Sequence, residues 1–572
     1  MKRRVLALIL AAATAVSMIG CGGSGLGSAG EGMIEKVDLL EIEGFNEAYA
    51  PDISSVAQQE GQIDVVIMFD GTETGWEALA KEYERLQGGY VTVKLDTTYI
   101  DTVSYTEKLR SEVQGDTEWD IVQGNLIGGE LMETYCINMA SWITEGNAYA
   151  GAGNTWKSVL TENAYITDTS GSNSDCYILN TENLQTAWFI NSVALKAAAD
   201  KGYVNAEGKA ENPITWDDMM LLCKKMVEAG YTSPLGIALK DDSITSNQFA
   251  WLLRVYGDQY YRQEYANVFA IEGDVNYVEN EYELDLTATN PEGDADFNIS
   301  LTRLYNAILD DSISNSAYVG ANSDKFAEFI EQFYKMRDYL RVDAASMSME
   351  EMRNMFTTQS KGKASPQIML DYAGSGLNFL ASEAADYEVD FYDYPAMVGD
   401  YVDEDAIVRD VGGNGGYLSC VRQDEAQNAL NKDFLKFVLS PYGQSVYYEA
   451  LSKSGSTVKG LTTVQTDLVV VPKAWKEFFA TDKIAFNGLV DVNRFISNLI
   501  MYIGSAKTDC QTVNKTLWKQ YLTGTGSDAI TTEEYQKEWH ETLMAAWKKS
   551  CKSMGYSETC YLYPGKDTKY SE

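Results

Sequence analysis

Histidine is almost missing from this chain of 572 residues, with His540 its sole representative. It sits in the run Glu538-Trp539-His540-Glu541, which reads as helix, so a packing role is expected for it. A single histidine argues against catalysis by Ser-His-Asp or Cys-His groups and against imidazole-rich metal sites. Cysteine is scarce as well: there are 8, and no C-x-x-C pair occurs. That removes zinc ribbons and thioredoxin-like redox motifs. Setting Cys21 aside leaves Cys136, Cys176, Cys223, Cys420, Cys510, Cys551 and Cys560. An odd set cannot pair completely, and buried free thiols are expected, although Cys551 and Cys560 are near enough for a local bridge. Positive charge is in deficit. Lys and Arg total 45 against 84 Asp and Glu, a net charge of −39. Such a surface repels nucleic acid and anionic lipid, so no nucleic-acid partner is expected. It favours solubility and a neutral or cationic ligand.

Long apolar runs are also lacking. The longest, Val5 to Val16, is shorter than the roughly 20 residues that cross a bilayer. It follows Lys2, Arg3 and Arg4 and leads to Met18-Ile19-Gly20-Cys21. A cationic start, a short apolar stretch and small residues at the cut describe a secretory signal peptide over 1–20. Cys21 after Gly, with Gly22-Gly23-Ser24 following, resembles the lipobox of bacterial lipoproteins, apart from Met18 where Leu is usual. There the Cys thiol takes a diacylglyceryl group, and two acyl chains anchor durably. Residues 21–62 then read as the lipidated Cys plus a flexible tether, extracytoplasmic and held at the cell membrane.

The remaining chain, about 550 residues, is too long for one core, and two or three domains are expected. Ile63 to Phe69 reads as a strand. Thr74-Gly75-Trp76-Glu77 matches a capping box, and the helix after it places Trp76, Leu79, Ala80 and Tyr83 on one face. Val91 to Leu95 alternates as a strand. A helix over about 103–114 leads to a third strand ending at Gln123-Gly124-Asn125. Strand and helix alternating in this way predict an α/β layer with a parallel sheet and ligand at the carboxyl ends of its strands. A second α/β region opens with the strand Thr186 to Asn191, followed by a helix from Thr215 to Gly230 and a strand over Pro234 to Leu239. Residues 258–322 are polar, Tyr-rich and acidic, and read as an insertion. Asp294, Asp296 and Asn298 match the start of an EF-hand, but Ile299 and Tyr305 stand where its Gly and Glu belong, so no metal is expected. Helices are expected at 325–340 and 347–359, a strand over Gln367 to Asp371, a glycine-interrupted strand at 412–416, and helices to the end.

Several of these segments line up with one family. Trp119-Asp120-Ile121-Val122, Trp188-Phe189-Ile190-Asn191 and Ile214-Thr215-Trp216-Asp217-Asp218 match its motifs in order. So do Ala229 to Leu235, Gly412 to Tyr417, and Phe434-Leu435-Lys436-Phe437 with Pro441-Tyr442-Gly443-Gln444. The chain resembles extracellular solute-binding protein family 1, the substrate-binding lipoproteins of carbohydrate ABC transporters. The resemblance implies a periplasmic-binding-protein-like fold with two α/β lobes, hinge-crossing strands and discontinuous domains. Lobe 1 would be 63–182 plus 418–475, and lobe 2 would be 185–411 plus 476–572. It implies a monomer without catalytic residues or cofactor. Its partners would be a saccharide, expected to be an oligosaccharide, and the permease subunits of an importer.

Sugars show apolar C–H faces and a rim of hydroxyls, which aromatic platforms, carboxylates and amides match. Position then selects the ligand-binding candidates. Asp70, Glu73 and Trp76 follow the first strand, and Asn125 ends the third. Glu182 and Asn183 lie at the first crossing, and Asp371 and Tyr372 end the strand at 367–371. Many family members carry a Gly-x-Trp after that strand, and Tyr372 is the candidate substitute here. Asn414 and Tyr417 flank the crossing glycines, and Arg494 completes the set. Asp120 and Trp216 are assigned structural roles. Two other functions compete. One is the same fold holding a peptide, polyamine or other solute, and the other is a secreted glycoside hydrolase.

Overall fold

The structure is a computed structural model that describes residues 38–69, 71–98, 102–115, 117–161, 164–168, 175–241, 244, 248–279, 286, 299–359, 362–374, 388–403, 406–454, 460–471 and 494–572. The leader, Cys21, Asp70 and positions 294–298 lie outside them.

Alternating apolar residues build the first sheet. Ile63 and Val65 of β1 (Gly61–Val66) are buried, and β1 pairs in parallel with β2 (Val91–Leu95) and β3 (Ile121–Gln123). This is the parallel layer that the alternating pattern predicts. The chain later returns as β12 (Leu418–Cys420), antiparallel to both β3 and β5 (Asp175–Leu179), and β4 (Tyr165–Asp168) closes the order β2-β1-β3-β12-β5-β4. The first helix is Glu73–Leu86. It starts one residue before the expected box, and Thr72 at its N-cap makes no side-chain cap. Instead Thr72 Oγ1 donates to Phe69 O at 2.5 Å, which tightens the turn. The strand also ends earlier than expected, at Val66. Leu79, Tyr83 and Leu86 face the core and meet the helices Glu425–Val438 and Pro441–Ser454, with the Tyr83 and Phe434 rings 5.0 Å apart.

Residues 38–60 correct the expectation of a tether reaching to 62. Ile42 and Val56 are buried, Leu40 N donates to Tyr442 Oη at 2.9 Å, and Asp52 N donates to Ala148 O at 2.8 Å. This segment is docked on the body.

The second sheet has the order β10-β7-β9-β8, from Val389–Tyr392, Thr186–Asn191, Ile368–Tyr372 and Leu235–Gly236. Every residue of β7 is buried, as a central strand requires. The strand expected over 234–239 shrinks to two residues. Thr215 caps Trp216–Glu228 in a full capping box with Asp218. Trp216 is buried in the core and its Nε1 donates to Gln332 O at 2.8 Å.

The region expected to be an insertion is partly core. The helix Gln248–Tyr261 is buried along nearly its whole length, and Leu301–Leu309 is buried beside the C-terminal helix Thr532–Met554. The apparent polarity of 258–322 misleads because several of its polar side chains are buried and some of its acids are ion-paired. Asp258, for one, accepts from Arg262 at 3.0 Å and from Arg409 at 3.1 Å. His540 lies on the C-terminal helix with Nε2 3.4 Å from Asp311, and burial lowers its pKa. The seven described cysteines are buried free thiols. Among the described residues no helix is long and apolar enough to cross a membrane, and no cluster of ligating side chains fits a metal ion.

Candidate functional site

The two large sheets are joined through a small one. β6 (Glu182–Leu184) runs at its centre, antiparallel to β11 (Gly413–Gly415) on one side and β13 (Gly460–Thr462) on the other. β6 carries the chain from the first sheet to the second and β11 carries it back, while β13 pairs alongside β6. Glycine is needed where they touch. A Cβ on Gly460 would strike the Asn183 carbonyl, and Gly416, at φ +61°, would strike Thr181. These three short strands form the joint between the two large sheets.

A pocket of about 140 Å³ opens against this joint. The end of β1 supplies Met68 and Phe69, and the following turn and helix supply Thr72 and Trp76. Gln123 comes from the end of β3, Thr181 and Glu182 from the crossing, Tyr372 from β9 and Tyr417 from the return. Both large sheets thus contribute through strand ends, as open α/β sheets do. Larger grooves exist beside Asn212 and beside Asp311, but no described residue of β6, β11 or β13 lines them.

The wall is aromatic. Trp76 is 5% exposed, edge-on to Phe69 at 6.0 Å and to Tyr447 at 6.5 Å. Gly75 allows this approach, since a Cβ there would sit 2.6 Å from the Tyr447 ring. Tyr372 packs edge-on to Trp251 at 4.7 Å. Burial, and then the neighbouring Tyr372, raises the Tyr417 phenol pKa, so that phenol remains a neutral hydrogen-bonding group at neutral pH. Gln123 Oε1 accepts from Met68 N at 3.1 Å, which fixes the amide at the pocket edge. Such a pocket can stack an apolar ring face and bind hydroxyls, through the amide, phenols, Thr hydroxyls and one carboxylate.

Of the candidates from sequence, Trp76, Glu182, Tyr372 and Tyr417 converge here. Glu73 is half-buried in the first helical turn beside Tyr447, outside the lining. Asn125 is exposed on a short turn after β3. Asn183 is held within the joint, its Nδ2 donating to Thr462 O at 3.5 Å. The backbone of Asn414 pairs with Asn183, and Arg494 begins a short helical turn, Arg494–Ile496. Asp371 is a correction. It is fully buried, and its oxygens accept from Arg353 at 2.7 and 2.8 Å and from Tyr372 N at 2.7 Å. Alternation along β9 turns Asp371 inward to that ion pair and leaves Tyr372 for the pocket. Asp120 is structural as expected, accepting from Asp64 N and Asn431 Nδ2 at 2.9 Å. Sequence reasoning missed Thr72, Gln123 and Thr181, although the first two stand at strand ends where ligand was expected.

No protein-family model matches the chain, and no curated protein matches it. Solved structures do. A protein from work on xylan utilization by Caldanaerobius polysaccharolyticus superposes with a TM-score of 0.50 at 14% identity, over 84% of this chain and 99% of its own. A chitin oligosaccharide binding protein gives 0.50 at 14%, over 85% and 99%. UgpB from Mycobacterium tuberculosis, in complex with glycerophosphocholine, gives 0.50 at 11%, over 86% and 99%. From the joint between its sheets to the length over which it superposes, the chain has the two-lobed α/β fold of solute-binding proteins.

Proposed function

We propose that this chain is a non-enzymatic, extracytoplasmic solute-binding protein that captures a saccharide between two lobes and delivers it to an ABC importer. The observation that carries this reading is the aromatic pocket at the three-stranded joint, lined from both sheets. A ligand held there contacts both lobes and stabilises whichever arrangement brings them together. Lobe 1 is 63–182 with 418–475, and lobe 2 is 185–411 with 476–572. The packing of Phe434 on Tyr83 supports the first grouping, and that of Trp518 on Phe249 at 4.8 Å supports the second. Cys21 carries the lipid. The docked segment from residue 38 leaves only the chain between Cys21 and Asp38 to reach the membrane, at most about 60 Å when fully extended. The protein acts as a monomer beside its permease.

Among the described lining residues Glu182 is the one carboxylate. Glycoside hydrolysis calls for two, about 5–10 Å apart, so the pocket favours a receptor over a hydrolase. The full chain, purified in detergent, should give saturable calorimetric binding to an oligosaccharide without turnover. It should also become more compact in solution scattering when bound. Product release would refute the receptor, and binding without compaction would refute closure. Cys21→Ser should release the protein from the membrane or leave its precursor uncut.

A further inference from the structure

One half-buried cation in the second lobe lacks a counter-charge among the described residues. The helix Gln248–Tyr261 carries Trp251, which packs on Tyr372 of the pocket, and one turn later Arg254. Arg254 is half-buried. Its Nε donates to Ala250 O at 3.4 Å, a long contact, and its two terminal nitrogens meet no acceptor among the described residues. Other buried arginines are paired. Arg262 and Arg409 share Asp258, Arg353 holds Asp371, and Arg303 holds Asp274. In a chain with 84 acids and 45 bases, an arginine without an acid is conspicuous.

Its position is informative. Burial lowers the pKa of this guanidinium, against the opposing influence of Tyr394 and Tyr372. Its helix packs on both phenols, through Trp251 on Tyr372 at 4.7 Å and Tyr256 on Tyr394 at 6.3 Å. Tyr372 pairs in register with Thr186 at the start of β7, and Tyr394 Oη lies 2.7 Å from Thr186 Oγ1. All three mark the end of the second sheet that faces the joint. A partly desolvated guanidinium there offers two parallel donors matched to the paired oxygens of a carboxylate, sulfate or phosphate. Leaving it unpaired is costly, and a ligand anion would relieve that cost.

Resting on the saccharide-receptor reading, we propose that the natural ligand carries an anionic substituent, a uronate carboxylate or a sulfate or phosphate ester, and that Arg254 receives it from the second lobe. The anion faces lobe 2, while the hydroxyl rim faces Glu182, Gln123 and Thr181. The overall negative field works against anions at long range, so the preference arises from this local contact.

The test is calorimetry on the full chain in detergent with xylotriose, glucuronate-substituted xylotriose and a sulfated disaccharide, for wild type, Arg254→Gln and Arg254→Lys. An acidic ligand should bind wild type roughly 10- to 100-fold tighter than its neutral counterpart. Arg254→Gln should remove that preference, and Arg254→Lys should restore part of it. The uronate and sulfate arms separate the two kinds of anion. Equal affinity for neutral and acidic sugars, or a preference that survives Arg254→Gln, would overturn the inference and leave the receptor reading intact. Binding of the free anions glucuronate or sulfate alone, dependent on Arg254 and without any oligosaccharide binding, would sustain the role of Arg254 and refute the saccharide reading.

Discussion

Asp433 is the place where pH should act most clearly on stability. Its Oδ2 accepts from Tyr149 Oη at 2.6 Å, Tyr83 Oη at 2.8 Å and Gln87 Nε2 at 3.2 Å. Burial outweighs these bonds and the nearby Lys436 and Lys432, and lifts the carboxyl pKa from 3.8 to about 6. For an acid, a raised folded-state pKa means that the folded chain binds the proton more tightly than the unfolded chain. Stability contributed by this group therefore falls as pH rises from about 3.8 to about 6, and levels off above. At 1.36 kcal/mol per decade the full swing is about 3 kcal/mol. Asp433→Asn keeps an acceptor for both phenols and cannot titrate. Urea unfolding of both proteins, followed by tryptophan fluorescence between pH 3.5 and 7.5, isolates the term, because the other carboxyls are common to both. The stability of the variant relative to wild type should rise by about 3 kcal/mol across that range, with most of the change between pH 4 and 6. A flat difference, or one that moves the opposite way, would refute the claim that burial dominates this carboxyl.

Other perturbations have equally definite outcomes. Arg353→Met strands Asp371 in the core and should cost about 3–5 kcal/mol in urea unfolding. Tyr372→Ala should leave the unfolding free energy within about 1 kcal/mol and weaken saccharide binding several-fold in calorimetry, as expected for loss of one aromatic contact. Trp76→Ala should lower both, since its ring is also core, and cost about 3–5 kcal/mol. Gly416→Ala forces a side chain into a left-handed conformation against Thr181. It should destabilise by more than about 1 kcal/mol and reduce ligand-induced compaction in scattering.

Local pattern carried much of the architecture. Period-two alternation with intervening helices announces the β1-β2-β3 parallel layer, because the same buried face that folds the sheet writes the sequence rhythm. Thr215 with Asp218, three residues apart, signals its helix start because a cap is satisfied within one turn. The structural roles of Asp120, Trp216 and His540, and the buried state of the cysteines, also follow from residue chemistry and setting.

What the chain could not reveal locally is decided by partners distant in sequence. The pocket gathers Trp76, Gln123, Glu182, Tyr372 and Tyr417, which become neighbours only when two sheets meet through the joint. Asp371 and Tyr372 are adjacent and equally eligible by position, and the pairing of β9 sends one to Arg353 and the other to the pocket. Residues 38–60 look like tether until Tyr442 and Ala148 provide their hydrogen bonds. The sequence alone therefore determined the elements, since each is stabilised by contacts a few residues apart. Only the tertiary structure decided the site, since burial and counter-charge are properties of the assembled neighbourhood.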